Sequence, residues 1–170
     1  MKKLVLISAL LLITVASFGR KRVSETATVV ADTIYYAADQ TSVTNASQAA
    51  YYRLLLTQGK GASKQDVFTD YYMDGTLKAE GGYSFIDLGN DNNTVLNGNV
   101  TTYYVNGKEK LNGKYVNGKR EGYFTLNLRD GGIAVIMYRN GKSKFDYFMV
   151  TLPDGTQEKH PISDISSLLQ

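Results

Sequence analysis

From Asp66 onward the chain alternates in a way that marks strands. Counting back three, five and seven positions from four glycines gives four sets. They are Tyr72, Asp70 and Phe68 before Gly75, then Tyr104, Thr102 and Val100 before Gly107. Leu128, Leu126 and Phe124 precede Gly131, and Leu152, Val150 and Phe148 precede Gly155. Side chains alternate along a strand, so each set shares one face. From Val100 onward the sets carry no charge. The pattern predicts an all-β chain, an elongated single-layer antiparallel meander of repeated β-hairpins.

The glycines themselves keep a period. Gly107, Gly131 and Gly155 are 24 residues apart, each following Asn or Asp, and Gly98, Gly122 and Asp146 stand nine residues before them. Asp74-Gly75, with Asp66 nine residues before it, comes 32 residues ahead of the next copy. The extra eight residues fall between Tyr83 and Gly98, and Ser84 to Asn93 reads as an extended hairpin loop. A period in this range marks a repeat array. The copies run over about 66–97, 98–121, 122–145 and 146–162.

Asn-Gly and Asp-Gly favour two-residue hairpin turns, in which both central residues take positive φ. Such a turn at Asp130-Gly131 places Leu128 opposite Ile133, Leu126 opposite Val135 and Phe124 opposite Met137. Asn117-Gly118 would set Leu111 against Phe124, Gly113 against Gly122 and Lys114 against Glu121, and Asn140-Gly141 would set Ile133 against Phe148. These pairings agree on one apolar face.

Upstream, Thr33 to Tyr36 reads as a first strand and Thr41 to Gln48 as a polar turn. Ala49 to Thr57 fits either a helix, capped by Ser47 and stopped by Gly59, or a strand returning at Val67 after the loop Gly59 to Ser63. The strand is preferred because hairpins follow it. At the other end Pro161 is expected to block regular pairing. Ser163 could cap a short C-terminal helix with Ile165, Leu168 and Leu169 on one side, covering the end of the sheet.

The first residues change the picture of where the protein works. Lys2 and Lys3 precede an apolar run from Leu4 to Phe18, which is short for a bilayer span of ~20 residues and suits an export signal. Residues 1–19 are read as that signal, 20–32 as a tether and 33–170 as the repeat domain. The expected location is the periplasm, the outer envelope or the extracellular space. The alternative is an inner-membrane anchor through residues 4–18, the one route to membrane contact. The chain has no cysteine, so disulfides, thiol chemistry and lipidation after the signal are excluded. Without Lys2 and Lys3, 17 basic residues face 16 acidic ones, a balance that points away from nucleic acid.

Several segments resemble the bacterial variant of MORN repeats. Tyr71-Tyr72-Met73-Asp74-Gly75-Thr76-Leu77-Lys78-Ala79-Glu80-Gly81 has the tyrosine pair, the turn glycine, Leu-Lys and Glu-Gly of that family. Tyr103-Tyr104-Val105-Asn106-Gly107-Lys108-Glu109-Lys110 repeats the theme, and Asn117-Gly118-Lys119-Arg120-Glu121-Gly122-Tyr123-Phe124 is similar to the link between units. The resemblance spans about Asp66 to Gly155 and is nearest to exported MORN-like proteins and the YwqK-type antitoxin group. Asn127-Leu128 and Thr151-Leu152 depart from the tyrosine pair. The family has no common catalytic residue. The resemblance implies a scaffold or binding module, or alternatively an immunity or antitoxin protein that occludes a toxin.

Candidate chemistry is sparse. His160 is the only histidine and has no second histidine or cysteine with which to build a metal site. Asp87, Asp91, Asn92 and Asn93 miss the spacing of a calcium loop. Glu80, Glu109 and Glu121 fall on a flat sheet rather than in a cleft. The reading is therefore a non-enzyme with no cofactor and no metal. Asn45-Ala46-Ser47, Asn92-Asn93-Thr94 and Asn99-Val100-Thr101 match glycosylation sequons, which matter only in a eukaryotic secretory route. Tyr71, Tyr103, Tyr123 and Tyr147 fall opposite the apolar face, with Lys78, Lys110 and Glu80 expected nearby. Aromatics among polar groups suit a protein interface or an envelope glycan. The alternative is that these tyrosines only ladder between hairpins.

Overall fold

The computed structural model describes residues 28–29, 33–59 and 61–169. The segment read as an export signal lies outside the described residues. The strands are β1 (Thr28–Val29), β2 (Ile34–Tyr36), β3 (Ser42–Val43), β4 (Tyr51–Gln58), β5 (Gln65–Tyr72), β6 (Leu77–Phe85) and β7 (Val95–Tyr103). They continue with β8 (Glu109–Val116), β9 (Lys119–Asn127), β10 (Ile133–Arg139), β11 (Lys142–Ser143), β12 (Tyr147–Thr151) and β13 (Gln157–Pro161). One antiparallel sheet holds them in the order β13-β12-β10-β9-β8-β7-β6-β5-β4-β2-β3, with β1 on β4 and β11 on β10. The meander is thus observed, and the segment from Ala49 to Thr57 forms a strand from Tyr51 on. β1 lies in the stretch read as a tether, and β3 in the stretch read as a polar turn.

All four repeat turns are built alike. In the second copy Gly107 N donates to Tyr104 O at 2.8 Å, Tyr104 N donates to Lys108 O at 2.8 Å, and the Asn106 side chain accepts from Lys108 N at 3.1 Å. Asp74, Asp130 and Asp154 accept in the same way from Thr76 N, Gly132 N and Thr156 N. Only the glycine of each turn has positive φ, between 78° and 93° across the four copies. This is a three-residue loop ending in a bulge glycine, held by the Asx side chain.

That geometry corrects the expected pairing at Asp130-Gly131. Ile133 lies opposite Asn127, Ala134 opposite Leu126 and Ile136 opposite Phe124, one residue away from the two-residue reading. Ala134, Ile136 and Tyr138 therefore face the core, while Ile133, Val135 and Met137 face out. β10 is apolar on both faces, so its alternation is consistent with either register. Asn117-Gly118 and Asn140-Gly141 do form two-residue turns, with φ of 49° and 76° in the first and 51° and 84° in the second.

Beyond those turns the register shifts again. A bulge at Gly122, φ 79°, moves Leu111 opposite Leu126 instead of Phe124, although Lys114 does meet Glu121. Residues 144–146 interrupt the next hairpin, so Ile133 faces Thr151 rather than Phe148. Gly98, φ 101°, makes the matching bulge in the second copy, which explains the second glycine series.

Adjacent copies are stapled by repeated bonds. Gly118 N donates to Leu96 O at 2.8 Å, and Gly141 N to Arg120 O at 2.9 Å. Asn117 N reaches the Asn97 side chain, and Asn140 N reaches the Glu121 carboxylate at 2.7 Å. At the opposite end Tyr72 Oη donates to Tyr103 O, and Tyr104 Oη to Asn127 O. The second tyrosine of each pair is thus a link to the next copy. Leu128 and Leu152 lack the hydroxyl and pack at the margin of the core instead.

Among the described residues every fully buried one lies on one face of the sheet. One cluster gathers Leu55, Phe68, Ala79 and Val100. The other gathers Phe124, Leu126, Ala134, Ile136, Tyr138, Phe148 and Val150. Ile162, Ile165 and Leu168 cover the second cluster from a 3-10 turn (Ile162–Asp164) and the five-residue helix α1 (Ile165–Leu169). Ser163 lies inside that 3-10 turn and donates to the Asp164 carboxylate rather than capping α1. Pro161 does not block pairing; it is the last residue of β13 and stands opposite Tyr147. An outermost strand tolerates it because one side of its backbone needs no partner.

Candidate interaction surface

The outer face carries the tyrosines expected to bind. Tyr71 stacks on Tyr52 with centroids 5.3 Å apart, and Tyr52 lies 6.2 Å from Tyr35, so a ring row crosses β2, β4 and β5. Tyr103 donates to the Glu80 carboxylate at 2.8 Å, and Glu80 also bears on Tyr71, whose hydroxyl is pushed up mainly by burial. Tyr71, Glu80 and Tyr103 therefore form one group. Tyr123 stands apart on β9, 67% exposed. Tyr147 on β12 stacks with Phe145 at 5.3 Å, and Lys159 Nζ lies 3.7 Å from its ring centre.

Lys78 and Lys110 are not on this face. Each is the extra residue of a bulge beside its repeat turn, between Tyr71 and Asp70 pairings in one case and Tyr103 and Thr102 pairings in the other. Lys78 Nζ lies 3.8 Å from the ring centre of Tyr51, and Lys110 Nζ 5.7 Å from that of Tyr104, both on the core side.

The core face holds a charged group that the sequence reading missed. Arg53 on β4 pairs in register with Asp70 on β5, and both are buried. Its Nε donates to Asp70 Oδ1 at 2.6 Å and its Nη2 to Oδ2 at 2.8 Å. Asp91 closes the group from the 84–93 loop, accepting from both Arg53 terminal nitrogens, from Tyr51 Oη at 2.6 Å and from Thr94 Oγ1 at 2.8 Å. The guanidinium lies 4.4 Å from the Phe68 ring centre and 5.4 Å from that of Tyr36. Two cations, Arg53 and Lys78, thus balance two carboxylates.

Burial pushes the Asp70 carboxyl up. It pushes Asp91 up as well, but Arg53 and the hydroxyl donors hold Asp91 below the ordinary range. Burial pulls Lys78 down against the pull of both carboxylates. Among the described residues no buried side-chain nitrogen or oxygen lacks a hydrogen-bond partner. A satisfied network of this kind rigidifies the loop that it ties down. The Asp70 charge inside an otherwise apolar set was the available signal, since it demands a counter-charge at core parity on the neighbouring strand, where Arg53 stands.

Ser84 and Phe85 of the expected 84–93 loop belong to β6, and the rest of it is a folded part of the core side. Ser42 N donates to Gly89 O at 2.9 Å and Asp91 N to Gln40 O at 2.9 Å, so the loop also borders β3. Among the described residues no group of three or more His, Asp or Glu side chains could hold a metal ion. His160 stacks on Phe148 at 5.5 Å and lies 3.0 Å from Glu158. No family model, curated protein sequence or solved structure matches the chain.

Proposed function

We propose that the chain is an exported, non-catalytic binding or scaffold protein of the MORN-like hairpin-repeat kind, acting through the outer face of its sheet. One observation carries the reading. Among the described residues all fully buried ones lie on the opposite face, while the outer face keeps partly exposed aromatics along its length. Exposed aromatic groups of this sort mark interaction surfaces.

The ring geometry favours a protein partner over an envelope glycan. A sugar stacks on a ring face, and Tyr52 and Tyr71 turn their faces to each other. Beside them stands the Glu80 carboxylate, which accepts from Tyr103. Such a mixed surface suits the side chains of another protein.

Photo-crosslinking in the native envelope tests this. A crosslinking residue in place of Tyr123 should give one defined adduct. Tyr71→Ala with Tyr103→Ala should remove it while the far-UV spectrum stays unchanged. The reading fails if an adduct of equal yield forms from Val105, at a repeat turn, or if the double variant leaves the Tyr123 adduct intact.

A further inference from the structure

Arg120 on β9 lies against core-face rings as Arg53 does, although it shares a strand with its phenylalanine whereas Arg53 stands on the strand beside Phe68. Its guanidinium lies 5.7 Å from the ring centre of Phe124 and 5.1 Å from that of Tyr138. Phe124 and Phe68 occupy the same place in their copies, seven residues before the turn glycine. Both arginines thus lie against an equivalent phenylalanine on the core face. Across the strand pair, Arg53 meets Asp70, but Arg120 meets Tyr115. Its Nη1 donates to Tyr138 Oη at 3.1 Å. Among the described residues no carboxylate stands within ion-pair distance of it.

A half-buried guanidinium normally has an anionic partner, because five donors and a full charge are costly to withdraw from water. Neutral hydroxyls serve only part of that need. Arg53 shows what satisfies such an arginine on this face: Asp91, delivered by a polypeptide loop laid against the sheet. We propose that Arg120, flanked by Tyr115 and Tyr138, receives an aspartate or glutamate carboxylate from a loop of a partner protein, as Arg53 receives Asp91. The site lies on the face opposite the outer tyrosines and does not depend on the role assigned to them.

The planar fork of arginine favours bidentate capture of a carboxylate. The test uses the full chain labelled with nitrogen-15 and two blocked peptides, acetyl-Gly-Ser-Asp-Ser-Gly-amide and its Asn counterpart, at constant ionic strength. The Nε–H signal of Arg120 should shift saturably with the Asp peptide and remain still with the Asn peptide, while that of Arg53 stays unmoved. Arg120→Gln should weaken peptide binding at least tenfold. Tyr115→Asp supplies an internal carboxylate at the cross-strand position and should weaken binding by a similar factor. It tests the idea even if Arg120→Gln fails to fold. The proposal is overturned if the Asp peptide leaves Arg120 unmoved, if the Asn peptide acts equally, if inorganic phosphate shifts the signal while the Asp peptide does not, or if folded Tyr115→Asp binds as wild type.

Discussion

Gly113 lies beneath the ring of Phe124, so close that a β-carbon on it would fall 2.3 Å from Cδ1. The ring occupies the space that a side chain on the neighbouring strand would fill. Gly113→Ala should therefore cost about 3 kcal/mol, because Phe124 is itself 1% exposed and has nowhere to move. Gly107→Ala meets no atom within 4 Å and suffers only from its φ of 78°, so about 1 kcal/mol is expected. Denaturant midpoints of the two variants measure the difference, and equal shifts would contradict the packing described.

The hydroxyl links between copies give a second expectation. Tyr72→Phe and Tyr104→Phe each remove a bond to a backbone carbonyl while leaving the ring, and each should lower stability by about 1 kcal/mol. Leu126→Ala, in the centre of the larger cluster, should cost about 3 kcal/mol by opening a cavity. Chemical denaturation separates these classes. A Tyr104→Phe variant as stable as wild type would mean that the hydroxyl exchanges freely with water.

The meander, the periodic turns and most of the core face were legible because glycine spacing and alternation repeat four times. Register was not legible at Asp130-Gly131. The dipeptide Asn-Gly makes a two-residue turn at 117–118 and a three-residue loop at 106–107, and what separates them is whether the Asn side chain accepts from the amide two residues on. β10, apolar on both faces, removed the other cue. The Arg53 network was hidden for a different reason. Its third member, Asp91, sits in a segment read as a polar loop, and only tertiary docking brings it to β4. Among the tyrosines, the face of Tyr71, Tyr103, Tyr123 and Tyr147 was readable from alternation. That the row Tyr35, Tyr52 and Tyr71 stacks on itself was not, because it depends on how hairpins far apart in sequence align.

Acid should loosen the 84–93 loop before the rest of the sheet. The Asp91 carboxyl is held below the ordinary range near pH 4 by Arg53 and its hydroxyl donors, against the push of burial. A lowered carboxyl adds stability that is fully present above that range and is lost as pH falls through the lowered value. Amide protection at Asn90 to Thr94, corrected for intrinsic exchange, should therefore fall in acid ahead of protection in β9 and β10. Asp91→Asn should cost about 2 kcal/mol at neutral pH, since Asp70 still pairs with Arg53, and should flatten the acid limb. An unchanged acid limb in that variant would assign the effect elsewhere.

The export reading is tested at the N-terminus. Mass spectrometry of the protein from the cell envelope should find a new first residue between positions 17 and 24. An intact Met1 product held in the membrane would assign residues 4–18 as an anchor instead.

The staples between copies join each unit only to its neighbours, while the 84–93 loop and α1 cover different parts of the core face toward the two ends of the array. Interior length is therefore a free variable. A duplicated 24-residue unit would carry its own turn glycine, its own bulge and its own linking hydroxyl or leucine. It would advance the sheet by two strands, about 10 Å. An insertion of odd length within a strand would turn every following side chain over. On that logic this architecture can be tuned to the span of whatever it lies against in steps of one hairpin.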